Sequence, residues 1–358
     1  MEKKVALVVG ASGLVGSYLV KHLLTREDWT VLGASRGRLD HGPKYRHVAL
    51  DLQDAESCRA ALKDHPEITH VFYAARLTGT ADDTIAIQSA LDAQNIGLLR
   101  NLLDAVEPVA KGLRHVHLLQ GNKWYGSAKG PIHTNVPARE DDPRYLAPNP
   151  YYAQHDYLVA RQAGRSWSWS AIRPGAILGF APGYPHNLVA LVGAYAAICK
   201  ELGLPLKFPG SPTCYGLIQS GVSAEILCKA CVWIAEHEAC ANQAFNVSNG
   251  DAYSWQTLWP RVAKLFGLEP APPEPMQFSA VMKSKEPVWQ ALVKRHGLQD
   301  VPVGHLVAWE YGDLHFYKTK GDSTSIIRLW KTGFHEFADT TDLFLDVLEE
   351  YRAARLLP

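Results

Sequence analysis

Apolar residues in the first 120 positions fall into short β-rich runs separated by stretches with helical spacing. The runs Lys4-Val-Ala-Leu-Val-Val, Thr30-Val-Leu-Gly-Ala, Tyr45-Arg-His-Val-Ala-Leu, Thr69-His-Val-Phe-Tyr-Ala-Ala and His115-Val-His-Leu-Leu-Gln predict five strands. Between them, Leu14 to Leu24, Ala55 to Lys63 and Ile85 to Val106 predict helices. Strands that alternate with helices pair in parallel through βαβ units, and such a sheet is covered on both faces. After Gln120 the pattern loosens. Gly121 to Pro150 is rich in Gly, Pro, Asp and Asn and predicts a long loop over the carboxyl edge of the sheet, where long loops usually carry function. Tyr151 to Gly164 is helical again, Trp169-Ser-Ala-Ile-Arg predicts a sixth strand, and Phe245-Asn-Val-Ser a late one. The remainder is mainly helical, with Pro270 to Pro275 expected as a linker.

A chain of 358 residues exceeds one comfortable core, so the expected organisation is an α/β domain over residues 1–180 and a smaller, mainly helical substrate lobe over 181–358. The late strand near residues 244–248 is expected to return to the first domain. Equal numbers of acidic and basic residues, 36 each, leave no field that would draw nucleic acid or an acidic membrane. No apolar run approaches the roughly 18 residues of a membrane span, and the first strand is too short for a signal-peptide core. A cytoplasmic protein is therefore expected. Six cysteines are present; Cys228 and Cys231 form a C-x-x-C inside an apolar helical stretch, where packing is the expected role rather than metal or redox chemistry.

Val8-Val9-Gly10-Ala11-Ser12-Gly13-Leu14-Val15-Gly16 places a G-x-x-G-x-x-G turn between the first strand and its helix. Gly10 permits the tight turn, Gly13 lets backbone approach a pyrophosphate, and Gly16 packs helix on sheet. The helix N-terminus offers unpaired N–H groups and a positive dipole end to phosphates. Gly10, Ser12, Gly13, Leu14, Val15 and Gly16 are thus candidate dinucleotide contacts, and the fold class is an NAD(P)-binding, doubly wound Rossmann sheet. The second strand ends Ser35-Arg36-Gly37-Arg38, with no carboxylate until Asp40. An arginine there suits the 2′-phosphate, so Ser35 and Arg36 point to NADP(H). Asp51 and Leu52 are expected beside the adenine, and Ala74 and Ala75 along the dinucleotide path. Gln120, Tyr151 and Ile177 complete the candidate cofactor wall. No metal site is expected.

Enzymes of the short-chain dehydrogenase class carry Tyr-x-x-x-Lys on one helix. Here Asn149-Pro-Tyr151-Tyr152-Ala-Gln-His155-Asp156 puts histidine or aspartate where the lysine belongs. A substitute is available in Gln120-Gly-Asn-Lys123-Trp124-Tyr-Gly, just after the fifth strand. Lys123-Trp-Tyr-Gly, Asn149-Pro-Tyr-Tyr, Ile172-Arg-Pro-Gly-Ala-Ile-Leu-Gly-Phe and Ala244-Phe-Asn-Val-Ser-Asn-Gly-Asp together resemble the progesterone 5β-reductase and iridoid synthase family. Asn187-Leu-Val and Tyr195-Ala-Ala-Ile-Cys-Lys add to the match, which runs from the glycine turn to about residue 260 and more loosely to the C-terminus.

The resemblance implies that Lys123 is a displaced catalytic lysine and Tyr151 the catalytic tyrosine, with Tyr152 an alternative that periodicity does not exclude. It also implies hydride transfer from NADPH to the C=C bond of an α,β-unsaturated carbonyl compound. Where the family ends its second strand with an arginine pair this chain has Ser35-Arg36, and Trp124 follows the lysine. Trp309-Glu-Tyr311-Gly-Asp resembles a segment that places an aromatic over the substrate; Trp124, Tyr152, Phe180 and Tyr311 are the pocket candidates. The same parts could reduce a carbonyl. A carbonyl reductase or sugar-nucleotide epimerase is the enzymatic alternative, and an NADP-binding sensor without turnover the other. The expected partner is a small unsaturated carbonyl substrate, with a homodimer as the oligomer.

Overall fold

A computed structural model describes residues 3–77, 85–126, 135–144 and 149–358. Parts of the expected Gly121–Pro150 loop, at 127–134 and 145–148, lie outside these. The strands are β1 (Lys4–Val9), β2 (Trp29–Ser35), β3 (Tyr45–Ala49), β4 (His70–Tyr73), β5 (His115–Leu119), β6 (Ser168–Pro174), β7 (Ala176–Leu178), β8 (Leu206–Lys207), β9 (Gly221–Ser223), β10 (Gln243–Val247) and β11 (Pro270–Ala271). Seven of them form one parallel sheet in the order β10-β6-β5-β4-β1-β2-β3. The chain winds outward from β1 to β3, then crosses back to place β4 beside β1, with Ala6 paired to both Val31 and His70. The strand order thus reverses at β1, the switch point at whose carboxyl end an open α/β sheet carries its ligand crevice.

Helices α1 (Leu14–Leu24), α2 (Ala55–Leu62), α3 (Ile85–Val106), α4 (Pro150–Gln162), α5 (Leu188–Glu201), α6 (Pro212–Gly216), α7 (Ala224–Glu236) and α8 (Trp255–Phe266) follow in chain order. α2, α3 and α4 pack together over one face of the sheet, against Leu7, Val71, Val116 and Ala171. α1 and α7 cover the other, against Ala6, Val8, Val31 and Phe72. The return to the sheet late in the chain thus brings a helix as well as a strand. Cys228 and Cys231 lie inside this layer without solvent contact, and burial pushes both thiols up, so neither is poised as a nucleophile.

The lobe packs around α5, whose residues Leu188 to Cys199 are all buried. A helix apolar on every side belongs at the centre of a core. Trp255, Trp259, Phe208, Phe278, Phe316 and Phe344 surround it in edge-on contacts. Pro270–Ala271, expected as linker, pairs as β11 with β8. Among the described residues no helix is long and apolar enough to cross a membrane.

Candidate active site

The crevice is lined by backbone. Gly10 has φ +84°, and a Cβ on it would press within 3.0–3.1 Å of the Ala74–Ala75 peptide, so the β1 and β4 exits approach to contact. A Cβ on Gly16 would collide with the Gly10 carbonyl. At Gly13 the nearest atom to such a Cβ is 3.4 Å away, and this residue caps α1 without any side-chain hydrogen bond. The first N–H groups of α1, from Leu14 on, are left to a ligand, the arrangement a pyrophosphate needs. Ser12 is exposed beside them, while Leu14 joins Ile177, Ala181 and Tyr184 in an apolar cluster along one wall. At the end of β2, buried Ser35 donates to the Gly37 carbonyl at 2.7 Å, and Arg36 and Arg38 project into solvent. Asp51 accepts from the Gln53 amide at 3.0 Å, and Leu52 rests partly buried on the sheet core. These residues fit a dinucleotide.

Lys123 sits in a tight helical turn, Asn122–Tyr125, directly after β5. Asn149 ties this turn to α4. Its side-chain nitrogen donates to the Lys123 carbonyl at 2.6 Å, and its oxygen accepts from the Tyr151 amide at 3.0 Å as the helix N-cap. One side chain thus sets the spacing of both candidate catalytic residues. The Lys123 side chain is exposed within the cleft, yet protein encloses it on most sides. That desolvation, with Arg76 repelling it, pulls the ammonium down to about 8.

The two tyrosines part company. Tyr151 is 6% exposed, and its phenol lies against Gly121, where a Cβ would stand 2.9 Å from the oxygen. Tyr152, less buried, packs against the cluster that contains Tyr151 and donates its hydroxyl to the Trp124 carbonyl at 2.7 Å. The positions four residues on are both engaged elsewhere. His155 is wedged edge-on between Trp124 and Trp169, at 5.1 and 4.9 Å, and burial first, then Arg173 and Arg144, holds it down near 4. Asp156 takes a bidentate contact from Arg144 at 2.6 and 2.8 Å. A group that sequence reasoning missed stands at the phenol: Arg76 Nη1 donates to the Tyr151 oxygen at 2.7 Å. It follows Ala74-Ala75, a segment read only for its small residues. A lone arginine at the carboxyl end of a strand beside the switch point was the available signal.

Buried side chains hold this arrangement from below. Arg173, at the end of β6, donates to Gln120 at 3.0 Å and stacks 3.6 Å from the Trp124 ring centroid. Gln120 donates in turn to the Tyr151 carbonyl at 3.4 Å. Trp124 is 4% exposed, so its ring serves this foundation. From the lobe, Asp322 accepts from Asn122 at 3.0 Å and from buried Lys318 at 2.7 Å, bracing the lysine turn. Above the cleft Tyr311 lies 5.7 Å from His186 and 4.4 Å from His315. Burial pulls both histidines down, with Lys123 adding to it, and pushes Tyr184 and Tyr311 up, with Tyr151 adding to it, so this aromatic group lies within electrostatic reach of the two candidates. Phe180 packs edge-on against Tyr351 at 4.8 Å.

Comparison with known proteins agrees with the geometry. A 3-oxo-Delta(4,5)-steroid 5-beta-reductase from Arabidopsis thaliana is 32% identical over 99% of this chain and 94% of the relative. An (S)-8-oxocitronellyl enol synthase from Camptotheca acuminata is 31% identical with the same coverage. A UDP-glucose 4-epimerase structure from Thermotoga maritima superposes over 98% of this chain and 99% of its own, with a TM-score of 0.68 at 15% identity, a likeness of fold. The family model of the PRISE-like Rossmann-fold domain matches residues 50–358, and with relatives this similar over their whole length the chain belongs to that family of nicotinamide-dependent oxidoreductases.

Proposed function

We propose that this chain is an NADPH-dependent ene-reductase that saturates the C=C bond of small α,β-unsaturated carbonyl compounds. The observation that carries the reading is that Asn149 ties the backbones of Lys123 and Tyr151 together, with both i+4 positions of α4 committed elsewhere. Arg36 and Arg38, exposed past β2 in a stretch with no carboxylate until Asp40, support preference for the 2′-phosphate.

Held by the Gly10–Gly16 turn and the Ala74–Ala75 peptide, a nicotinamide cofactor would supply the hydride for the substrate's β-carbon. The C=C electrons move toward the carbonyl, whose oxygen becomes an enolate oxygen. Tyr151 donates its hydrogen to that oxygen, and a well-placed donor of this kind lowers the barrier by about 3–4 kcal/mol. Lys123 brings positive charge to the same region. A proton from Tyr151 or solvent then completes the saturated carbonyl product, and solvent restores the phenol.

The test is NADPH consumption with 2-cyclohexenone, citral and 8-oxogeranial, with products separated into saturated carbonyls and allylic alcohols. A saturated carbonyl that is lost in Lys123→Ala supports the reading. An allylic alcohol would assign carbonyl reduction to the same residues. Tight NADPH binding without turnover of any carbonyl compound would favour a sensor.

A further inference from the structure

The contact between Arg76 and Tyr151 is built from two interactions. The guanidinium donates to the phenol oxygen at 2.7 Å, and its carbon lies 5.0 Å from the ring centroid. A guanidinium offers five donors and no acceptor. The phenol oxygen therefore accepts from Arg76, and its own hydrogen cannot be returned to that partner. With Gly121 closing in behind the oxygen, the hydrogen is left to point into the cleft. Arginine also keeps its charge at any working pH, unlike a lysine enclosed in the same place.

We propose that Arg76 is a positioning residue: it holds Tyr151 as a one-way donor toward the substrate's carbonyl oxygen and, with Lys123, makes the cleft a site for an oxyanion. The inference rests on the enone-reduction reading above. In the usual arrangement one lysine on the tyrosine's own helix both orients the cofactor and supplies charge to the phenol. Here those tasks are divided. Lys123 reaches the cleft from the turn after β5, and Arg76 reaches the phenol from the exit of β4. Burial lowers the Lys123 ammonium and repulsion from Arg76 adds to it, so the two cations lie within electrostatic reach of each other. When Tyr151 gives up its proton, the phenolate left behind is already in contact with a cation.

The experiment compares wild type with Arg76→Gln, Arg76→Lys and Arg76→Ala, each checked for an unchanged melting temperature. With NADPH and 2-cyclohexenone, Arg76→Gln is expected to lose roughly 10–100-fold in kcat. NADPH affinity and the enone KM should stay within about twofold, since an interaction made only as charge develops leaves ground-state binding alone. Arg76→Lys should recover part of the rate, and added methylguanidine should restore part of it to Arg76→Ala.

A second readout needs no turnover: binding of 4-nitrophenol to the protein saturated with NADP+, followed by the absorbance of its phenolate. Wild type should bind the phenolate preferentially, and Arg76→Gln should not. Wild-type kcat in Arg76→Gln, or phenolate binding indifferent to Arg76, overturns the proposal. A loss of NADPH affinity in proportion to the lost rate also overturns it, by putting the guanidinium on the cofactor. Arg76-dependent phenolate binding by a wild type that reduces no enone would sink the reaction assignment and leave the role of Arg76 standing.

Discussion

An ammonium that is both desolvated and repelled by a neighbouring guanidinium gives up its proton early. Lys123 is in that position, at about 8, and the titratable groups within electrostatic reach of it include Arg76, His186 and His315. The charged form exists below that pH, so kcat/KM should be highest below it and fall as pH rises through about 8, the free-enzyme value. A pH profile checks this: Lys123→Met should lower the plateau and remove the fall, and an unchanged profile would detach the lysine from the chemistry. At the other end of the crevice, Arg36→Glu should weaken NADPH by roughly 10-fold or more, as expected for a lost charge-assisted contact, while NADH improves. Paired titrations of the two cofactors measure it. Residue by residue, the sequence was generous where a motif survived. Lys123 and Tyr151 could be singled out as candidates from their flanking residues. Tyr151 was separable from Tyr152 only by the hydroxyl contact to the Trp124 carbonyl, which no spacing encodes. Arg76 was hidden for a related reason: nothing in the chain connects position 76 to a phenol 75 residues later.

Elements carry the site through their ends. β5 ends at Leu119, and Gly121 lets the Tyr151 phenol rest against the chain immediately afterwards. Gly121→Ala would put a methyl 2.9 Å from the phenol oxygen, and the ring must move. A displacement approaching 1 Å costs on the order of 100-fold in rate, so kcat should fall by 10–100-fold while the melting temperature barely changes. Gly112→Ala, where an added Cβ meets nothing within 4 Å, is the control in the same steady-state assay. The long strands and helices of the sheet were legible because period and length agree with each other there. The two- and three-residue strands β7, β8, β9 and β11 were not, since so few residues show no period. The helical turn that holds Lys123 was read as plain loop for the same reason.

At the scale of the whole molecule, one face of the sheet buries a chain of imidazoles. His70, His115 and His117 are 1–4% exposed, with His115 between Ser168 at 2.8 Å and Ser170 at 2.6 Å, and His117 on Ser170 at 2.7 Å. Burial first, with Lys4 and Arg114 adding to it, holds His70 near 4, and burial alone holds His117 near 3, against 6.5 for the free side chain. Unfolded chains bind protons here below about 6.5 while the folded protein does not. Stability is therefore full above that pH and is lost as pH falls toward the folded values, by roughly 3 kcal/mol for His70 alone. Urea midpoints measured from pH 7 to pH 4.5 should drop steeply, and His70→Phe should flatten the slope; a flat wild-type profile would contradict it. Chain length led to the expectation of a lobe beside the sheet domain, but not to α7 returning with β10 to the sheet. An apolar helix reads alike whichever core receives it.

The central claim is that hydride enters at carbon rather than at the carbonyl, with Tyr151 as donor to the oxygen. The direct measurement uses NADPH deuterated at the transferable position, 2-cyclohexenone, and NMR of the product for wild type, Tyr151→Phe and Tyr152→Phe. The account predicts deuterium on the β-carbon of cyclohexanone, a rate reduced by roughly 100-fold or more in Tyr151→Phe, and a far smaller loss in Tyr152→Phe. Deuterium on the carbinol carbon of 2-cyclohexenol, or equal losses in the two variants, would contradict it.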